Sequence, residues 1–457
     1  MPRRTLGISV LILLGAATAA RASDTPGGLG GLLLRFFSPD NPIVLQTGGG
    51  GVGGGAGGGG GRGGGPAANH AAHFSSQENA QRILTEFDRA IATQVATFPV
   101  GSSSAAFTYS YDSSLGVYNR NTQSFGPLFT ERPLTAGKGR LSFGVNYLDA
   151  TYDRFEGKDL RGGDLTLYLV HEDAAGDGRL EPFFEGDIIK ADLSLDLHNQ
   201  TTVLFANYGL ASKLDVGVAL PYLRLTMDAR IAASIDHLAT ASEPNVHVFE
   251  DGSSEKTFIE SGHASGVGDV LVRTKYNFLS RSHVSLAALF DLRLPTGNDK
   301  DLLGSGATRT KLALVAGGSP GRFSPRLSLG YTASFGRGTY TGKLPKELGW
   351  SVGFDAAPRR RLTLTADLIG RTLFDTQRLV DRRGEFAFRT QRSPATMTTT
   401  LAETVTETGN LTVLLGSAGA KINVARRLLV VANLLFAVGD HGLQDKVTPV
   451  FGLDYSF

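Results

Sequence analysis

Residues 269–278 have the sequence DVLVRTKYNF, in which two kinds of side chain alternate without interruption. The apolar and aromatic set is Val270, Val272, Thr274, Tyr276 and Phe278. The set that carries the charges is Asp269, Leu271, Arg273, Lys275 and Asn277. A period of two places these sets on opposite faces of a β-strand. The same alternation recurs from about residue 139 onward, and this predicts an all-β fold.

The alternating segments are numerous and about ten residues long. We predict strands at 139–150, 163–172, 187–198, 201–211, 213–231, 267–279, 283–295, 308–317, 326–335, 347–356, 361–374, 409–423, 427–438 and 447–457. Such a set is typical of a transmembrane antiparallel up-and-down β-barrel of about 14 strands, with 12 to 16 as the range. Segment 213–231 changes phase near Pro221, and we interpret the change as a β-bulge.

The predicted connections separate into two length classes. Short turns fall at 280–283, 318–325, 357–360 and 424–426, and longer connections fall at 232–266, 296–307, 336–346, 375–408 and 439–446. Short periplasmic turns with long external loops are the arrangement of outer-membrane barrels. A soluble β-sandwich also has two-faced strands, but it has no reason to sort its loops in this way.

The C-terminal strand carries a second sign of an outer-membrane barrel. Phe451, Leu453, Tyr455 and Phe457 share one face, and Phe457 is the last residue of the sequence. This pattern resembles the insertion signal of Gram-negative outer-membrane barrels. The resemblance implies the barrel-assembly machinery as a partner, together with outer-membrane lipid.

The N-terminal third of the sequence predicts an export signal and a region that precedes the barrel. Residues 1–22 resemble a cleaved signal peptide, with Arg3 and Arg4 before an apolar run. Residues 23–75 form a Gly-rich extension, in which 48–65 holds 15 glycines in 18 positions and predicts a flexible tether. We therefore expect location in the cell outer membrane.

Two further segments precede the predicted barrel at 139–457. Residues 76–97 carry apolar side chains at helical spacing and predict an amphipathic helix. Residues 98–138 are a pre-barrel segment that we expect to enter the barrel as a plug, with Glu131 and Arg132 joining charges in the lumen.

Composition excludes several classes of protein. The chain has 45 Lys and Arg against 43 Asp and Glu, so it lacks the basic excess that nucleic-acid binding requires. It contains no Cys, which excludes disulfide scaffolds, thiolate metal sites and cysteine nucleophiles. We predict no cofactor, no metal site and no nucleic-acid partner.

The polar face of the predicted strands supplies the candidate functional residues. We expect the following charged side chains to face the lumen: Asp269, Arg273, Lys275, Asp291, Arg293, Arg326 and Asp367. Cross-strand ion pairs would let such charges neutralise one another. Two interpretations remain open: a charged constriction that selects permeants, or an interior filled by salt bridges.

Several short motifs together resemble a family of outer-membrane transporters labelled after the meta-cleavage pathway of phenol degradation. They lie at 98–103, 107–109, 124–132, 137–140, 266–270, 275–276, 294–297, 303–306 and 452–457. The resemblance covers roughly 98–457 and implies a β-barrel that passes small, hydrophobic or aromatic molecules.

We therefore expect an outer-membrane channel or transporter for passive uptake of a small-molecule permeant. The first alternative is a non-conducting structural or surface-interaction barrel. The second, which the sequence favours less, is an outer-membrane hydrolase. Residues 349–353 match the G-x-S-x-G motif of hydrolases, but they lie inside a predicted strand with no helix after it. We expect no enzyme activity.

Overall fold

The computed structural model describes most of the chain from residue 128 onward and parts of the region before it. The described residues are 28–37, 45–46, 76–97, 109–112, 117–120, 125–126, 128–170, 186–241, 247–249, 251–281, 284–318, 322–390, 392–425 and 427–457. The predicted signal peptide and the Gly-rich tether at 48–65 lie outside them. Within these ranges no helix is long and apolar enough to span a membrane.

Twelve antiparallel strands form a closed ring in which each strand pairs with its neighbours in sequence. They are β1 Leu141–Tyr152, β2 Ile188–Ala211, β3 Leu214–Asp236, β4 Leu271–Ser280, β5 Ser285–Arg293, β6 Ala307–Gly317, β7 Phe323–Gly336, β8 Glu347–Arg359, β9 Leu362–Thr390, β10 Ser393–Ala425, β11 Leu428–Ala437 and β12 Thr448–Ser456. Pairing of β12 with β1 closes the ring. The predicted antiparallel up-and-down barrel is confirmed, with a strand number at the lower end of the predicted range.

Two predicted strands are in fact one, and a third lies outside the ring. Segments 187–198 and 201–211 form the single strand β2, although polar residues at its middle resemble a turn. Those polar residues bind across the sheet, since His198 Nε2 lies 2.7 Å from Asp149 Oδ1 of β1. Segment 163–172 corresponds to the short strand Leu165–Val170, which pairs with the start of β2 above β1.

The outer face of the ring is a continuous apolar band. Exposed apolar side chains on neighbouring strands include Leu312, Leu314, Leu327, Leu329, Tyr331, Val352, Phe354, Leu364, Leu434, Phe451, Leu453, Tyr455 and Phe457. Closure of the sheet satisfies the backbone hydrogen bonds within each strand pair, as lipid requires. The molecule is therefore an outer-membrane barrel whose partner on this face is lipid.

The predicted bulge at Pro221 is wrong, because β3 pairs with β2 in unbroken register through this point. The phase of its apolar residues changes because the environment changes. Before Pro221 the apolar residue Val218 faces outward and is exposed, whereas after it Leu225 faces inward and is buried. Arg224 then occupies the outer face. The strand thus leaves the lipid near Pro221, and above that level the interior becomes the apolar side.

The irregularity lies instead on the strand next to β3. A strand at Glu255–Val267 pairs with the upper part of β3, and β4 pairs with its lower part. Residues 268–270 separate the two, and the Gly268 N–H donates to the Pro221 carbonyl at 2.8 Å. Because proline has no N–H, the ladder has no donor at this level, and the neighbouring strand is interrupted there.

Above the lipid the barrel continues as an extramembrane layer. Leu165–Val170, the upper parts of β2 and β3, and Glu255–Val267 form one wall, and the long β9–β10 hairpin forms another. The predicted loops at 232–266 and 375–408 are therefore largely strand. Helix α1, Ser76–Ala96, packs between these walls. Its Phe87 ring meets the Phe155 ring edge to face, with centroids 5.3 Å apart.

Short elements complete the described chain. Three 3₁₀ helices span Leu29–Gly31, Leu33–Phe37 and Asp299–Asp301, and short strand pairs join Leu45–Gln46 to Val248–Phe249, Tyr109–Asp112 to Val117–Arg120, and Arg154–Phe155 to both Lys158–Asp159 and Leu443–Gln444. Leu29, Leu33 and Phe36 of the first two 3₁₀ helices, and Leu32 between them, are completely buried. These side chains join α1 and the inner faces of the extramembrane strands in one apolar core.

Because the outer band faces lipid, a charged side chain placed in it should lower the free energy of unfolding strongly. Leu312 on β6 is 67% exposed, so in water Leu312→Arg would be nearly neutral, but in lipid it should lower the unfolding free energy by about 2–4 kcal/mol. Urea unfolding in phospholipid vesicles measures this. Met397→Arg on the extramembrane part of the β9–β10 hairpin is the matched control and should change it by less than about 0.5 kcal/mol. Equal effects at both positions would contradict the assignment.

Candidate functional site

Helix α1 closes the barrel interior from the side of the long hairpins. The Arg293 guanidinium on β5 donates to the carbonyl oxygen of Ala96 at 2.7 Å. Arg371 on β9 donates to the Thr97 hydroxyl at 2.8 Å. The Gln94 side chain accepts from the Leu443 N–H at 2.6 Å. The carboxyl end of the helix, where carbonyl groups lack partners, is thus held by cations of the wall.

A second segment, residues 128–140, closes the interior from the side of the short turns. The Thr130 N–H donates to Asp367 on β9 at 3.3 Å. The Ala136 N–H donates to Asp215 on β3 at 2.9 Å. Carboxylates of the wall therefore satisfy backbone donors of this plug segment. Residues 128–140 thus lie against the inward-facing side chains of the wall.

A polar chamber of about 140 Å³ lies between the two closures. Its charged lining consists of Glu131, Arg273, Asp291, Arg293, Arg309, Lys311, Glu347 and Arg371, and its apolar lining includes Phe129, Leu271, Leu289 and Ile369. Each side chain comes from a strand position that faces inward, or from the plug segment. We call this cavity the chamber.

Arg273 is the centre of the first ion-pair group in the chamber. Its Nε and Nη2 atoms donate to the two carboxylate oxygens of Asp291, each at 2.6 Å. Its Nη1 atom contacts the carboxylate of Glu131 in the plug segment. The Lys275 ammonium lies behind them, 3.9 Å from both Glu131 and Asp215. The plug segment is thus tied to the wall through a buried arginine.

Glu347 is the centre of the second group. The Arg309 guanidinium reaches its Oε2 atom at 2.9 Å, and Arg371 reaches the same oxygen at 2.8 Å. Arg371 also donates to Oε1 at 3.0 Å. One carboxylate is therefore shared by two arginines, one of which also holds the helix end. A shared acceptor of this kind leaves excess positive charge in the chamber.

The structure brings together only part of the predicted set. Arg273, Asp291 and Arg293 line the chamber with Glu131, and Lys275 lies beside them. Asp269 binds the backbone and hydroxyl of Ser305, at 2.9 and 2.5 Å, and orders the loop after β5. Arg326 pairs with Asp355 at 3.5 Å, Asp367 holds the plug segment, and Arg132 is buried with it. The insertion-signal residues Phe451, Leu453, Tyr455 and Phe457 all lie on the outer face.

Four chamber residues were absent from the sequence-based set, namely Arg309, Lys311, Glu347 and Arg371. Their positions still follow the period of two, since Arg309 and Lys311 alternate with the outward-facing Thr310 and Leu312. Applying the alternation to every strand would have found them. The G-x-S-x-G match at 349–353 lies within β8, and Ser351 therefore has no strand-to-helix turn to expose it as a nucleophile.

Removing the central arginine should destabilise the barrel strongly. Arg273→Ala leaves Asp291 buried without its bound cation and Glu131 with only the more distant Lys275, and loss of one partner of a buried pair costs about 3–5 kcal/mol. Urea unfolding in vesicles measures the change. The control is Arg161→Ala, which removes an exposed pair with Asp196 and should cost less than about 1 kcal/mol. A similar, small loss of unfolding free energy in both variants would contradict the central role of Arg273 in stability.

Asp88 makes the docking of α1 depend on pH. Burial raises the pKa of its carboxyl well above the ordinary value, and neither carboxylate oxygen has a partner within the described residues. The folded state therefore keeps a proton that the unfolded chain loses above about pH 4, so the unfolding free energy falls as pH rises toward the folded-state pKa.

Asp88→Asn should remove this loss of stability. We expect the variant to be more stable than the original chain at pH 8, and the difference to shrink at pH 4, where the original carboxyl is protonated in both states. Unfolding free energies at the two pH values check this. A difference that is equal at both pH values would contradict the assignment to Asp88 ionisation.

Several known proteins resemble this chain. The chain resembles an outer membrane channel from Pseudomonas putida F1, with 12% identity, a TM-score of 0.41, and coverage of 70% of this chain and 96% of that one. It also resembles the monoaromatic hydrocarbon channel CymD, with 9% identity, a TM-score of 0.32, and coverage of 70% and 89%. The toluene transporter TbuX of Ralstonia pickettii gives 11% identity, a TM-score of 0.27, and coverage of 70% and 90%.

Among proteins with curated functions, none matches this sequence. A protein family does match: it is described as "Putative MetA-pathway of phenol degradation", and the match spans residues 190–362. This stretch runs from β2 to the start of β9 and contributes most of the chamber wall. The resemblance to this family that the sequence motifs predict is therefore confirmed over residues 190–362.

Proposed function

We propose that the protein is an outer-membrane channel for passive uptake of small molecules. The observation that carries this proposal is the chamber, a polar cavity at the level of the lipid within a closed barrel. A barrel that served only as a scaffold would have no need of a charged cavity at its centre. Charged linings are the usual means by which pores select what passes.

The two closures support transport because neither belongs to the wall. Helix α1 and the plug segment are held by hydrogen bonds and ion pairs from side chains such as Arg293 and Asp367. Such contacts can be exchanged without opening the strand ladder, whereas separating two strands would expose backbone groups to lipid. Displacement of the helix end or of the plug segment therefore gives a route into the chamber without opening the wall.

The class of permeant follows from the matching family and the lining. The family description names phenol degradation, and this supports small aromatic molecules as cargo. Phe129, Leu289 and Ile369 offer apolar surface in the chamber for a ring. We infer no catalytic step. Barrel insertion through Phe457 and the aromatic face of β12, recognised by the barrel-assembly machinery, forms part of the same proposal.

Conductance in planar bilayers tests the channel. The full chain should show small or rare current steps, and a variant lacking residues 23–100 should show larger and more frequent ones, because α1 no longer caps the chamber. Arg293→Ala should also raise the frequency of opening, since it removes the contact with Ala96. Arg161→Ala, at an exposed position, is the matched control and should behave as the original chain.

Proper folding of each variant is established first by heat-modifiable migration on gels. A folded barrel that stays silent both with and without residues 23–100 would contradict the open-channel proposal. Such a result would favour a lateral hydrophobic route through the wall or a surface-interaction barrel.

A further inference from the structure

The chamber holds more positive than negative charge. Five cationic side chains line it, Arg273, Arg293, Arg309, Lys311 and Arg371, against the three carboxylates Glu131, Asp291 and Glu347. Arg273 engages Asp291 and Glu131, and Glu347 is shared by Arg309 and Arg371. Every carboxylate of the lining is thus already bound by an arginine. Lys311 and Arg293 are left to provide the excess.

Among the cations that line the chamber, Lys311 has the fewest hydrogen-bond and ion-pair partners in the described part of the chain. In the part of the chain that the structure describes, its ammonium makes neither a hydrogen bond nor an ion pair. It lies directly opposite Asp291 in the β5–β6 register, but Arg273 takes both oxygens of that carboxylate. An ammonium buried here without a partner is costly, so a bound water or anion would stabilise it.

Two glycines border the Lys311 side chain. A methyl group at Gly330 would lie 2.8 Å from Lys311 Cε, so the absence of a side chain there lets the stem lie across β7. A methyl group at Gly349 would lie 3.9 Å from Lys311 Nζ and would meet no atom closer than 3.6 Å. Gly349 on β8 thus leaves the room of about one methyl group beside the ammonium, and it lines the chamber there.

Arg293 lines the same cavity and lies opposite Arg309 in the β5–β6 register, diagonally next to Lys311. Its described contact is the hydrogen bond to the Ala96 carbonyl, at 2.7 Å, and no carboxylate pairs with it among the described residues. Asp269, the acidic residue near it, lies outside the lining and binds Ser305 instead. When Asp269 is counted as well, five cations still face only four carboxylates.

The size of the chamber matches one aromatic ring. Its volume is about 140 Å³, and an apolar cavity of about 150 Å³ accepts benzene in another protein. Apolar surface from Leu289 and Ile369 lies beside the cationic groups. A ring with one attached anionic group satisfies both parts of the lining, whereas a neutral hydrocarbon leaves the ammonium without a partner.

We propose that the chamber is a binding site for single-ring aromatic carboxylates, with the carboxylate held by Lys311 and Arg293 and the ring against the apolar lining. The site rests on the proposed channel function and narrows its cargo from aromatic molecules in general to organic anions. Benzoate is the simplest member of the class.

Fluorine NMR titrations of the full-length protein in zwitterionic detergent test the site. The probes are 4-fluorobenzoate and its neutral analogue 4-fluorobenzyl alcohol, at low salt because salt screens charge. The acid should bind at least about tenfold more tightly, since hydrogen bonds to charged groups are the stronger kind. Lys311→Met should remove most of this preference.

Two further variants sharpen the test. Lys213→Met, at an exposed turn between β2 and β3, is the matched control and should bind the acid as the original chain does. Gly349→Leu fills the space in front of Lys311 and should abolish binding of both probes. If Lys311→Met fails to fold, Gly349→Leu still tests where the site lies. Retained binding of the probes by Gly349→Leu would overturn the proposal.

Other outcomes separate the site from the channel function. Equal affinities for acid and alcohol, or unchanged affinity in Lys311→Met, would overturn the carboxylate site even if the protein conducts. Displacement of 4-fluorobenzoate by an equal concentration of formate would show a general anion site and overturn the aromatic part. Charge-dependent binding in a protein that never conducts would support the site and contradict the channel.

Discussion

Closure of the sheet is the constraint on which the rest of the molecule depends. Within lipid every backbone N–H and C=O must be bonded inside the protein, so β12 has to meet β1 and the twelve strands must form a ring. The ring gives each strand an outer face that lipid makes apolar and an inner face that lipid never reaches. Charged residues such as Arg273 and Glu347 are tolerated only because of that second environment. Ring closure does not fill the interior, and the end of α1 and the plug segment occupy it instead.

The level of Pro221 shows how sharply these environments change. Below it the wall is apolar outside and charged inside, and above it the order is reversed, with Leu225 inside and Arg224 outside. One continuous strand therefore passes through two solvents without a change of register. The apolar extramembrane interior holds α1 by burial, and the polar interior below holds only the helix end. The helix thus reaches the chamber from a core that anchors it independently of the chamber.

Period-two alternation was sufficient to predict the barrel, the outward face of β12 and the inward direction of Arg273 and Asp291. It failed where one pattern has two physical causes. The phase change at Pro221 resembles a bulge in sequence, but it marks the edge of the lipid. The polar residues at 198–201 resemble a turn, but they bind across the sheet to Asp149. Which charges meet in the chamber depends on the register between strands and on the docking of residues 128–140, and neither is encoded in local periodicity.

The helix end and the proposed anion site share one cation, Arg293, and this links binding to opening. Arg293 holds the Ala96 carbonyl, and Arg371 holds both Thr97 and Glu347. A carboxylate that enters the chamber is a stronger acceptor for Arg293 than a peptide carbonyl is, because its charge is full rather than partial. Binding therefore weakens the hold of the wall on the helix end without disturbing the apolar core around Phe87. A permeant of the proposed class would in this way loosen the cap that confines it, whereas a neutral hydrocarbon would leave that cap in place.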